Sequence, residues 1–146
     1  SAALEAGVAA HAAWTIAAPL NGDFTQAKAY EETIAYLQSS PAPDVVYCEN
    51  DNMCFGVMQA LDERGIAYGD GGVTLISFDA GRTALSYCKD GKIDLCAECN
   101  PLHGPRVRAL IEQLARGETP EKLSYMPEAL FTADTLTAEL LESRVY

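Results

Sequence analysis

Apolar residues along this chain fall into short runs that each stop at a carboxylate or a carboxamide. Val45-Val46-Tyr47-Cys48 runs out at Asn50-Asp51-Asn52, Val73 to Phe78 at Asp79, and Ile93 to Ala97 at Glu98. Runs of this length, rich in β-branched and aromatic residues and bounded by turn formers, predict strands. A further run, Trp14-Thr15-Ile16-Ala17-Ala18, predicts another. Each is followed by a stretch of helical periodicity, at the spacing of one βα unit, about 20 to 30 residues. The expected fold class is therefore α/β, a parallel sheet flanked by helices.

The helical stretches are legible in the same way. After the turn Asn21-Gly22-Asp23, the residues Ala27, Tyr30, Ile34 and Leu37 share one face, and Asp23 and Gln26 have the spacing of a capping box, with Phe24 at the start of the helix. Cys54, Val57, Met58 and Leu61 predict a helix from just past Asn52 to just before Gly65. Ala84, Leu85 and Cys88 mark a short helix that ends near Gly91, and Val107, Leu110, Ile111 and Leu114 a longer one, with Pro105 in its first turn and Gly117 after its end. Leu123 to Met126 and Ala129 to Phe131 read as extended, and Asp134 is placed to cap a last helix with Leu136, Leu140 and Leu141.

At 146 residues, 49% of them apolar, the chain has the material for one sizeable core and a single domain. Ten Lys and Arg against 21 Asp and Glu leave a net charge of −11, which opposes a nucleic-acid partner, because phosphates need a concentrated basic face. No apolar run reaches the roughly 20 residues of a membrane span, and the Ala-rich start, Ser1 to Ala13, lacks the charged front and apolar centre of a signal peptide. The chain is expected neither to span a membrane nor to export itself, which leaves its compartment open.

In an open parallel sheet, ligands bind beyond the carboxyl ends of the strands, so the termini at Asn50, Asp79 and Glu98 are expected to gather round one polar crevice. Asp51 or Asn52 is expected to cap the following helix, leaving the Asn50 amide, donor and acceptor at once, to face a hydroxyl pair. Each candidate has a plainer reading: an Asx-turn acceptor for Asp79, a solvated strand end for Glu98, a core aromatic for Phe24. Together they suit a sugar, whose ring presents C–H groups to an aromatic face and hydroxyls round its rim.

Other chemistry is poorly supported. Cys99 with His103 and Cys48 with His11 lack a third, orienting group. Asp79 and Glu98 as a glycosidase pair need a separation that sequence does not supply. The five cysteines, Cys48, Cys54, Cys88, Cys96 and Cys99, sit in apolar patterns and read mostly as buried thiols; Cys96-x-x-Cys99 has no second half-motif to complete a zinc site. No phosphate-binding glycine loop follows a strand. No metal, cofactor or catalytic residue is assigned.

The stretches Asn21 to Lys28, Val46 to Met53 followed by Gly56 to Leu61, Ile76 to Asp79, Ala97-Glu98 followed by Gly104-Pro105, Gly117 to Leu123, and Thr132 to Thr135 resemble, in order and spacing, the second half of the type I periplasmic sugar-binding proteins of bacterial ABC importers. Within that family the chain is most similar to the ribose- and galactofuranose-binding kind. The resemblance places the ring-stacking aromatic on Phe24, the strand-end amide on Asn50, the sugar-binding carboxylate on Asp79 and the hinge acceptor on Glu98, where many relatives have Gln.

It implies that residues 1–146 are a C-terminal, Rossmann-like lobe of a two-lobe clamp, that Ser1 falls inside that lobe's first helix, and that about 99–127 normally cross to a first lobe that is missing here. The helix from Val107 to Leu114 is then expected to be displaced, swapped, or buried in a dimer of the isolated chain. The implied activity is binding without catalysis, with a monosaccharide as ligand, an ABC permease as partner and an extracytoplasmic location. The same fold also serves as the effector domain of sugar-responsive transcription repressors, the alternative that the resemblance leaves open, and it serves sensors of non-sugar signals.

Overall fold

A computed structural model of the chain describes residues 1–146. The elements are α1 (Ala2–Ala9), α2 (Gln26–Ser39), β1 (Val45–Tyr47), α3 (Asp51–Arg64), β2 (Thr74–Asp79), α4 (Arg82–Lys89), β3 (Leu95–Glu98), α5 (Gly104–Ala115), β4 (Leu130–Phe131) and α6 (Ala138–Ser143). The sheet runs β1-β2-β3-β4, parallel through β3, with β4 antiparallel at the far edge. Sequential parallel strands joined by right-handed crossovers place the connecting helices on one face.

That face holds the core. Leu75 and Ser77 of β2 and Cys96 of β3 point into it, and Cys54, Val57, Met58 and Leu61 of α3 and Ala84, Leu85 and Cys88 of α4 close over them. The stripes read from the sequence are thus the buried ones, and burying a Val, Leu or Met side chain contributes about 1.5 to 3 kcal/mol. On the opposite face Tyr47, Ile76, Phe78 and Leu95 stay half-buried, with the Tyr47 and Phe78 rings 4.9 Å apart.

Helix α2 packs against α3 and not against the sheet. Its innermost residues are Ala29 and Thr33, while Tyr30, Ile34 and Leu37 are half-buried and Ala27 is exposed. The predicted face is rotated because the contact is backbone to backbone: a Cβ on Gly56 would lie 2.2 Å from the Gln26 carbonyl oxygen and 2.9 Å from the Tyr30 nitrogen. Small residues therefore sit at the crossing. Thr25 caps α2 by accepting the Lys28 N–H, in place of the expected Asp23 and Gln26 box.

Three further expectations are corrected. Trp14 to Ala18 forms no strand, because β1 pairs only with β2 and nothing between Trp14 and Leu20 joins the ladder; Trp14 is 60% exposed and stacks on His11 at 4.4 Å. Leu123 to Met126 likewise has no strand partner, and only Leu130 and Phe131 add to β3. Thr137, not Asp134, caps α6 by accepting the Leu140 N–H, while Asp134 lies in a turn.

Helix α5 has no buried residue, and its Val107, Ile111 and Leu114 face outward. Val107, with Leu110, Leu123, Tyr125 and Met126, lines an open groove of about 480 Å³. No helix is long and apolar enough to cross a membrane. All five cysteines are free thiols, with four buried and Cys99 exposed.

Candidate functional site

The carboxyl ends of the strands meet as expected, with Asp79 paired directly opposite Glu98 across the β2–β3 ladder. Helix α3 begins beside them, and the loop before α2 reaches over from the other side. That loop bends through Asp23 (φ 47°) and Phe24 (φ 53°), left-handed conformations that cost side-chain-bearing residues energy and cluster at functional sites. The bend turns the Phe24 ring outward, 63% exposed, so Phe24 is not a core aromatic.

Asn50 has a different task from the one its sequence position suggests. It is the α3 cap: its Oδ1 accepts the Met53 N–H at 2.8 Å, and its Nδ2 donates to the Phe24 carbonyl at 3.2 Å. The amide thereby ties the aromatic's loop to the helix, and keeps one N–H and one lone pair for anything in the crevice. Asp51, expected as a cap, is instead buried; its Oδ1 accepts the Ser77 hydroxyl and its Oδ2 accepts the Gly81 N–H at 2.8 Å. The cap fell to Asn50 because it is the last extended residue, φ −158° and ψ 168°, whereas Asp51 already belongs to the helix and points at the sheet.

Asp79 ends β2 at φ 95° and Ala80 follows at φ 57°. The Asp79 side chain is exposed and makes no Asx-turn. Partial burial pushes its carboxyl above the usual value, opposed by the nearby Asp51 N–H. Glu98 is neither a solvated end nor open to the crevice. Its side chain is only 8% exposed; Oε1 accepts from Arg144 Nη1 at 2.7 Å and from the Tyr146 hydroxyl, and Oε2 accepts the Ala129 N–H at 3.0 Å. Burial raises the Glu98 carboxyl, but the Tyr146 and Arg144 hydrogen bonds and the Arg144 charge outweigh it, leaving the group below its ordinary value.

Sequence reasoning missed Arg144 and Tyr146. They alternate in an extended tail, so both reach the same side, yet no periodicity or motif flags two residues beside the terminus. Arg144 also donates Nε and Nη2 to the Ala80 carbonyl, at 3.0 and 2.8 Å, and lies 4.1 Å from the Tyr146 ring. Asn100, Leu102, Leu140 and Ser143 join them round a pocket of about 140 Å³. Of the proposed nucleophile and base pairs, Cys48 is buried while His11 stacks on Trp14, and Cys99 and His103 are both exposed. No cluster of His, Cys, Asp or Glu could hold a metal.

Residues 1–114 match the family model described as periplasmic binding protein domain. The chain belongs to that family. Among its relatives, the Escherichia coli (strain K12) galactofuranose-binding protein YtfQ is 31% identical over 124 residues, 82% of this chain and 39% of YtfQ. A Mycobacterium smegmatis protein solved in complex with β-D-fucofuranose is 30% identical, with a TM-score of 0.80 over 88% of this chain and 42% of its own. The periplasmic binding component of an arabinose ABC transporter from Shewanella sp. ANA-3 superposes with a TM-score of 0.85 over 99% of this chain and 52% of its own; at 24% identity it speaks to the fold alone. The chain thus spans about 39 to 52% of the length of these relatives. The family is one of solute-binding components, not of enzymes.

Proposed function

We propose that this chain is the C-terminal lobe of a monosaccharide-binding protein that serves a bacterial ABC importer outside the cytoplasm, with a furanose such as galactofuranose, or a ribose-like sugar, as ligand. The observation that supports it best is the register that sets Asp79 opposite Glu98, beside an outward-turned Phe24 fastened to Asn50. In this reading Phe24 stacks on the sugar ring, Asp79 accepts hydroxyl hydrogens, and Asn50 offers its spare N–H and lone pair. Glu98, held by Arg144, Tyr146 and the Ala129 N–H, anchors the hinge beside the crevice. The relatives named above bind or are solved with furanoses, which supports the ligand class.

The uncovered apolar face of α5 and the greater length of the relatives support a second lobe as its natural cover, reached by residues of about 99–127. A single lobe holds half a site. Calorimetry and chemical-shift titration with methyl β-D-galactofuranoside should therefore find millimolar or weaker binding to these 146 residues, and binding several decades tighter in the full gene product. In that full product Asp79→Ala should cost about 1.5 to 3 kcal/mol, roughly ten- to 150-fold in affinity. Micromolar binding to the lobe alone would overturn the two-lobe reading, and indifference of the full product to Asp79→Ala would overturn the site.

The same face bears on the lobe in isolation. An apolar patch of Val107, Ile111, Leu114, Leu123 and Tyr125 drives association when nothing covers it. Sedimentation velocity should show dimers that Ile111→Glu returns to monomers with an unchanged melting temperature; a monomeric parent chain would refute this.

A further inference from the structure

Between β2 and α4, the Ala80–Gly81 peptide is gripped at both ends. Its carbonyl oxygen takes two hydrogen bonds from Arg144, and its N–H donates to Asp51 Oδ2. The grip matters because the two residues before Gly81 have positive φ and carry side chains: Asp79 at 95° and Ala80 at 57°. Left alone, such residues return to extended or right-handed conformations, which are lower in energy by about 1 to 3 kcal/mol per residue. Something must hold the peptide in place, because it fixes the far end of the bend that begins at Asp79.

Asp51 is built to hold it. It sits in the first turn of α3 with the residue only 7% exposed, and its second oxygen is fixed by the hydroxyl of Ser77, which is fully buried on β2. Burial pushes the Asp51 carboxyl up, and the bonds from Ser77, Gly81 and Ala80 oppose this, as expected of a group placed in the interior for the bonds it makes there. Asp51 also follows directly on Asn50, so one helix start connects Asn50, the Phe24 loop and the Asp79 loop.

We infer that Asp51, oriented by Ser77, is a positioning residue for the ligand site: together with Arg144 it clamps the Ala80–Gly81 peptide and so aims the Asp79 carboxylate into the crevice. The inference rests on the reading of Asp79 as a sugar-binding residue. Asp51 touches no ligand itself. Ser77 is fully buried, and its hydroxyl donates to Asp51.

The test is backbone NMR of this chain with methyl β-D-galactofuranoside as probe, in Asp51→Ala, Asp51→Asn and Ser77→Ala. A positive φ gives a strong intraresidue HN–Hα cross-peak, so Asp79 and Ala80 report the loop directly, and exchange of the Gly81 amide reports the clamp. Asp51→Ala should weaken both cross-peaks, speed Gly81 exchange at least about tenfold and weaken sugar binding at Asp79 by about tenfold or more, while the Leu75 and Leu85 amides keep their protection. Asp51→Asn should restore most of this, because a carboxamide can accept from Gly81 and donate to the Ser77 oxygen. Ser77→Ala should give a partial loss, and it decides the matter if Asp51→Ala fails to fold.

An unchanged loop and unchanged binding in the alanine variants would overturn the inference and leave the sugar site standing. A loop that loosens in this chain, with a full gene product that does not bind the sugar, would support the clamp and overturn the sugar reading.

Discussion

Arg144→Ala will destabilise the chain by about 3 to 5 kcal/mol, because it leaves the Glu98 carboxylate buried without its cation. The side chains of Arg144 and Glu98 are 12% and 8% exposed, so water cannot replace the lost partner. The same truncation removes both hydrogen bonds to the Ala80 carbonyl and the guanidinium packed between the Phe131 and Tyr146 rings. Urea unfolding at pH 7 measures the effect, and a loss under about 1 kcal/mol, the range of exposed ion pairs, would show that the pair is solvated.

The pH profile supplies an independent check. The folded-state value of Glu98 lies below the ordinary 4.5, so its stabilisation is complete above that value and disappears as the pH falls through the lower, folded one. Glu98→Gln should remove that part of the acid slope. At the alkaline end, Tyr146 is pushed up to about 12 by burial and by its bond to Glu98. Its contribution is complete below its ordinary 10 and is lost as the pH rises toward 12, a loss that Tyr146→Phe should abolish.

Gly56→Ala should be the second large effect, and its sign runs against helix propensity. Ala is favoured over Gly inside a helix by about 0.8 to 1 kcal/mol. Here the new Cβ would lie 2.2 Å from the Gln26 carbonyl oxygen and 2.9 Å from the Tyr30 nitrogen, backbone atoms that move only if α2 and α3 separate. Overpacking of this kind costs about 1 to 3 kcal/mol, so a net loss is expected in thermal melts. Gly7→Ala in α1 is the control: its added Cβ meets nothing within 4 Å, so propensity alone acts and stability should rise slightly. A stabilised Gly56→Ala would mean that the helices do not cross so closely. Because α2 begins beside Phe24 and α3 at Asn50, the separation should also break the Asn50 to Phe24 bond and carry the stability defect into binding.

The parts of the fold that could be read ahead are those whose signal is local and whose burial is one-sided. Helices α3 and α4 bury the stripes that their periodicity marks, and β2 and β3 end where their apolar runs end. Trp14 to Ala18 carries as good a strand pattern and forms none, because a strand needs a neighbour to complete its ladder and β1 offers it none. For the candidate site, only the placement of its residues along the chain was legible. Phe24, Asn50, Asp79 and Glu98 were placed at strand ends and loops by pattern, and the structure brings Phe24 to Asn50 and Asp79 to Glu98. What each polar atom binds was not legible, since Asn50 takes the cap expected of Asp51 or Asn52, and Asp51 turns inward to Ser77 and Gly81.

By itself, then, the sequence determined a parallel α/β lobe with polar strand ends, because side-chain periodicity and turn chemistry act over neighbouring residues. Only the tertiary structure decided that Arg144 and Tyr146 hold Glu98 and that Asp51 reaches Gly81. Those contacts join residues 30 to 64 positions apart, and their partners are chosen by which backbone groups the packing leaves buried and in need of a hydrogen bond.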